Sequence, residues 1–198
     1  RRAAPAMTTT AEFDPAGLSA ESAAHRAGWR CGCPLHARRR FGALVLGGAL
    51  AGPASAAIPE CRRSTLANAI PADQVEQGAA QQYRQMMQEA SAQRALAPAE
   101  HPQLQRLRFI AQRIIPFTPE CNERAARWKW EVNLLGSAEL NAFCMPGGKI
   151  AFFYGILSKL QLDDDEVAMI MGHEMAHALR EHARERMGKT AATCVGAG

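Results

Sequence analysis

Past residue 56 the chain has no net charge: residues 57–198 hold sixteen Lys/Arg and sixteen Asp/Glu. The whole-chain value of +4 comes from residues 1–56, with seven basic and three acidic side chains. No basic patch is implied on the globular part, which leaves no electrostatic footprint for nucleic acid. Long apolar runs are also scarce. The one uncharged stretch of any length is FGALVLGGALAGPASAAI at residues 41–58, and it is short and interrupted by Gly and Pro. A spanning helix is the weaker reading of it, so membrane association is expected to be peripheral at most. No internal repeat is present, and no cysteine follows the apolar run at once, as a lipoprotein signal would require; Cys61 lies too far on.

What is there has the layout of an export signal. Arg38-Arg39-Arg40 precedes the apolar run and Ala54-Ser55-Ala56 follows it, giving n-region, h-region and cleavage site in order. Arg38-Arg39-Arg40-Phe41 also fits the twin-arginine pattern. The expectation is a cleaved signal, with a retained anchor as the alternative, and an exported, periplasmic product. About forty residues precede the apolar core, and the chain begins with Arg, with Met7 its first Met; a start placed too far upstream or a fragment would explain both. Residues 1–56 are therefore expected to be an N-terminal extension and export signal, and residues 57–198 a single domain. Cys31 and Cys33 have no partner pair nearby and no expected metal role. Among Cys61, Cys121, Cys144 and Cys194, three full pairings are possible and sequence does not choose. Cys144 lies in an apolar strand and is expected to be a buried thiol; Cys61 with Cys121 is the preferred bridge.

Apolar residues Val75, Ala79, Tyr83, Met86 and Ala90 predict a helix over residues 72–96. Leu104, Leu107, Ala111 and Ile114 predict a second over 102–115, ended by Pro116 and Pro119. The period then becomes two: Trp128, Trp130, Val132 and Leu134 alternate with polar residues as a half-buried strand. Glu139 to Met145 is a further extended run, Pro146-Gly147-Gly148-Lys149 a reversal, and Ile150 to Phe153 its return strand. Tyr154 to Leu160 is expected as a short helix. Asp163 with Glu166 three residues on opens a capped helix, expected to run to about Met187 with Gly188 at its end.

That helix carries His173-Glu174-Met175-Ala176-His177. Residues four apart on a helix are offset by about 40°, so His173 and His177 share a face and can chelate one ion. Imidazole suits Zn²⁺. Glu174 flanks the pair and can take a proton from a metal-bound water, which is the mechanical content of H-E-x-x-H. The bland alternative is a solvated helix face that happens to carry His and Glu. Its mid-helix place and the apolar residues around it (Val167, Ile170, Met171, Met175, Leu179) argue against that.

A hydrolytic zinc site keeps three protein ligands. On a continuous helix His182, nine residues from His173, points about half a turn away. A Gly at 180 and a His at 183 would mark a metzincin; Arg180 and Ala183 exclude it. Glu181 lies about 12 Å along the axis from His173, a poor ligand that could orient His177. After Glu185 only Cys194 remains as a possible donor. The third ligand is expected outside this chain, whose metallopeptidase domain is then C-terminally incomplete.

The segments NAFCMPGGKI (141–150) and DDDEVAMIMGHEMAHALREHARER (163–186) resemble the zinc metallopeptidases of peptidase family M48. That family takes in CAAX prenyl proteases and HtpX-like proteases, and the chain looks closest to its periplasmic BepA- and LoiP-type branch. The resemblance implies an α+β, mainly helical zincin-like domain with a small antiparallel sheet or edge hairpin beside the motif helix. It implies one Zn²⁺ held by His173 and His177, Glu174 as general base, and a Glu on a later helix as third ligand. Asn141 and Ala142 would form the edge strand that receives substrate backbone, with Pro146 and Gly147 in its turn, a geometry that strand addition supports on physical grounds. The implied function is a zinc endopeptidase acting on extended or unfolded envelope proteins in quality control, with a C-terminal partner domain as a further expectation. The alternatives are a non-catalytic envelope chaperone or assembly factor, and an inactive fragment without its third ligand.

Overall fold

The structure is a computed structural model and describes residues 12–18, 61 and 64–195. The export-signal stretch, Cys31 and Cys33 lie outside the described residues, as does the side chain of Cys194. Among the described residues five α-helices and three strands follow one another: α1 (Ala72–Ala92), α2 (Pro102–Ile114), β1 (Glu131–Leu135), β2 (Ala142–Met145), β3 (Lys149–Phe153), α3 (Tyr154–Leu160), α4 (Asp164–Leu179) and α5 (His182–Val195). Short 3-10 turns occupy Thr65–Ala69, Ile115–Glu120 and Glu123–Arg127. The fold is α+β, mostly helical around a small mixed sheet.

The strands lie in the order β1-β3-β2. β2 and β3 form the expected antiparallel hairpin, from Ala142↔Phe152 to Met145↔Lys149. β1, however, runs parallel to β3, from Glu131↔Lys149 to Leu135↔Phe153. The connection through residues 136–141 carries the chain past a vacant lane, and β3 returns to fill it. Gly147 and Gly148 turn the hairpin at φ +82° and +76°, where side chains are crowded. At Gly148 a Cβ would also meet the Trp130 ring at 2.7 Å.

Alternation sends the two sets of strand side chains to opposite faces. Val132, Leu134, Ala142, Cys144, Ile150 and Phe152 pack with α2 and α4. Leu135, Phe143, Met145, Ala151 and Phe153 pack with Tyr83, Met86 and Ala90 of α1. The sheet is thus buried on both faces between helical layers. Tyr83 anchors α1 from below the sheet: its hydroxyl donates to the Ile150 carbonyl at 2.5 Å and accepts from Asn133 at 3.1 Å.

Several expectations need correction. The strand begins at Glu131; Trp128 and Trp130 precede it and pair as tilted rings 5.3 Å apart. The motif helix stops at Leu179, and Gly188 lies inside α5 instead of ending a helix. Residues 12–18, set aside with the N-terminal extension, pack on the domain. Leu18 is buried and its N–H donates to the Gly136 carbonyl at 2.8 Å, while Phe13 meets His101 edge-on at 5.0 Å. Gly136 is what admits them: a Cβ there would fall 1.9 Å from the Asp14 carbonyl oxygen. The preferred bridge does form, with Cys61 and Cys121 joined at a Cα–Cα distance of 5.2 Å, and Cys144 is a buried thiol. Among the described residues no helix is long and apolar enough to cross a membrane.

Candidate metal centre

The start of α4 is fixed locally. The Asp163 carboxylate accepts the Glu166 N–H at 2.8 Å, and the Glu166 carboxylate accepts the Asp163 N–H at 3.0 Å. Two orphan donors are satisfied reciprocally, and three acidic side chains sit in the first turn where the helix dipole favours them. The helix then buries Val167, Met171, Met175, Ala178 and Leu179 against the sheet.

This burial leaves His173 and His177 half-buried on one side, with their Nε2 atoms 3.1 Å apart and their rings perpendicular at 4.6 Å. Two nitrogens each about 2.0–2.1 Å from a tetrahedral zinc stand roughly 3.3 Å apart, so this donor pair fits the ion. Burial, then the neighbouring His182 and His173, lowers the His177 pKa to about 4. The ring is therefore neutral at pH 7, the form a metal accepts. Glu174, next to His173 on the helix, is 8% exposed and lies close enough to Cys144 of β2 to act on it. Burial raises its carboxyl to about 7, and its charge in turn helps raise the Cys144 thiol. A carboxyl poised near neutrality can accept a proton and return it.

The helix end is where expectation and structure part. Arg180 closes α4, and Glu181 adopts a left-handed φ of 57°. Three contacts hold this break. Asn122, almost fully buried, donates to the Leu179 carbonyl at 3.0 Å. The buried Glu181 carboxylate pairs with Arg184 at 2.5 Å, and Arg184 also donates to the Ile70 carbonyl at 2.8 Å. The chain then restarts as α5, and His182 swings back beneath His177, Nδ1 to Nδ1, at 2.6 Å.

His182 is therefore not on the far side, as a continuous helix would put it. It is still not a third ligand, because it meets the Nδ1 edge of His177 while His173 meets the Nε2 edge. Among the described residues no group of three or more His, Cys, Asp or Glu side chains is arranged to hold a metal. The Glu181 carboxylate, expected to orient His177, pairs with Arg184.

Asn141 and Ala142 do lead into β2, a sheet edge whose outer side pairs with no described strand. The Asn141 carbonyl accepts from Phe153 at 3.0 Å, and its side chain accepts from its neighbour Ala142 at 3.0 Å. Pro146 and Gly147 are buried, and Gly147 backs onto Glu76 of α1. They form the turn of the hairpin.

Residues 102–196 match Peptidase family M48. Among curated proteins, the chain is 28% identical over 156 residues to mitochondrial metalloendopeptidase OMA1 of Schizosaccharomyces pombe, covering 78% of this chain and 44% of that protein. It is 32% identical over 103 residues to the Saccharomyces cerevisiae protein of the same name, covering 49% and 30%. It is 43% identical over 60 residues to that of Arabidopsis thaliana, covering 30% and 12%. The chain thus spans less than half the length of these relatives. No solved structure matches it. The expectation of an exported, periplasmic BepA- or LoiP-type protein is overturned, because these relatives are mitochondrial metalloendopeptidases. The export-signal reading loses its support with it.

Proposed function

We propose that this chain, which carries an M48 metallopeptidase segment over residues 102–196, works as part of a zinc-dependent endopeptidase of the type its relatives are named for. In this reading residues 57–198 are the metallopeptidase domain, His173 and His177 are two ligands of a single zinc ion, and Glu174 is the general base. The observation that carries it is the pair of imidazoles with Nε2 atoms 3.1 Å apart, on the same helix as a buried carboxyl raised to about 7.

Zinc, when bound, supplies a Lewis acid and a water acidic enough to ionise near pH 7. The chain's own residues do the rest. His173 and His177 present their nitrogens one helical turn apart on a rigid scaffold. Glu174 holds a proton in transit, and its burial matches its affinity to neutral pH. The β2 edge at Asn141–Ala142 aligns an extended protein segment by strand addition, next to the face on which α4 packs.

Glu174→Gln tests the reading. Zinc content, measured by metal analysis, should stay at that of the parent, while hydrolysis of an unfolded protein falls by about 10²–10⁴-fold. Cleavage at the parental rate in this variant would overturn the assignment and favour a non-catalytic role in binding extended segments.

A further inference from the structure

We propose that His182 is a positioning residue for the metal site: its Nδ1 accepts the Nδ1–H of His177 and so commits the Nε2 lone pair of His177 to the ion. The proposal deepens the function proposed above and rests on His177 being a ligand.

The two Nδ1 atoms stand 2.6 Å apart, with ring centroids at 4.8 Å. Two lone pairs cannot face each other at that distance, so one proton lies between them. If His182 donated it, neutral His177 would carry its own proton on Nε2, where His173 sits 3.1 Å away and where the ion must bind. If His177 donates, its Nε2 is an acceptor and is free of a proton that metal binding would otherwise have to remove. Only the second arrangement is compatible with coordination through Nε2. Ligand histidines commonly donate their other N–H to an acceptor that fixes tautomer and ring orientation. Here the acceptor is another imidazole, which then keeps its own proton on Nε2.

The fold commits unusual local structure to this contact. On an unbroken helix, His182 would project about half a turn from His173. It reaches His177 only because Glu181 turns left-handed, and that turn is held by the Asn122 bond to Leu179 and the buried Glu181–Arg184 pair. The break brings His182 against His177.

The test uses the full chain and its zinc affinity, read by competition with a chromophoric chelator. Three variants are compared with the parent. His182→Phe keeps a ring but no acceptor, His182→Asn restores an acceptor oxygen near the position of Nδ1, and His177→Ala removes the ligand. His182→Phe should weaken zinc binding by about 10–100-fold, and His182→Asn should recover most of that loss. Parental affinity in His182→Phe, or no recovery in His182→Asn, overturns the positioning role. A parent that binds no zinc, or a His177→Ala variant that binds as tightly, overturns the metal-site reading instead, and the role with it. A check on the unaltered chain covers the case in which a variant does not fold. With zinc bound, ¹⁵N spectra should show the His177 proton on Nδ1 and the metal on Nε2; the reverse pattern overturns the proposal.

Discussion

The break after Leu179 inverts the usual effect of glycine at position 181. Inside an α-helix Gly is about 1 kcal/mol less favourable than Ala. In the left-handed region the order reverses, because the Cβ of an L-residue costs roughly 1–2 kcal/mol there and glycine has none. Glu181 sits in that region at φ 57°. Glu181→Gly should therefore be more stable than Glu181→Ala by about 1 kcal/mol. A continuous helix predicts a gap of about the same size with opposite sign. The lost carboxylate cancels in the comparison, since both variants remove it. Each variant alone should be less stable than the parent. The Glu181 and Arg184 side chains are 4% and 12% exposed, and removing one partner of a buried pair costs about 3–5 kcal/mol. Arg184 keeps its bond to the Ile70 carbonyl, which puts the loss at the lower end. Expected values are then about 3 kcal/mol below the parent for alanine and about 2 kcal/mol for glycine. Urea unfolding followed by tryptophan fluorescence measures both, provided the m-values agree. An alanine variant as stable as the glycine variant, or more so, would refute the break and remove the reason His182 meets His177.

What could be read from the sequence depended on how local each signal was. The start of α4 was legible because Asp163 and Glu166 satisfy each other within one turn. The His173–His177 pair was legible because a four-residue step fixes its geometry. The alternation of β1 and the extended runs of β2 and β3 were legible, but their lateral order was not: β1 beside β3 is a contact between distant segments, and nothing in the run Val132 to Leu135 names its partner. The end of α4 was illegible for a similar reason. Arg180 and Glu181 are ordinary helix formers, and the side chain that caps Leu179 is Asn122, 57 residues earlier. With no Gly or Pro to mark it, the break is written in tertiary contacts. The docking of Phe13 and Leu18 was hidden likewise, since Gly136 reads as a strand breaker and only the structure shows Asp14 against it.

Two further outcomes follow from the scaffold. The Cys61–Cys121 bridge closes a separation of 60 residues, so chain entropy gives it about 4 kcal/mol, and a Cys61→Ala/Cys121→Ala variant should lose about that much in urea unfolding; a loss near zero would mean that the bridge constrains nothing in the unfolded chain. Alkaline pH should also destabilise the fold, because burial raises the Cys144 thiol from its ordinary 9.0 and the Tyr83 phenol from its ordinary 10.0. The folded state keeps both protons while the unfolded state releases them, so it is the unfolded state that binds fewer protons as pH rises. The contribution is fully present below about pH 9, and stability falls from there by up to about 1.4 kcal/mol per pH unit for each group. Cys144→Ala should delay the onset to about pH 10, where Tyr83 begins to act. A parent whose urea midpoint stays level between pH 8 and 10.5 would show that neither proton is held by burial.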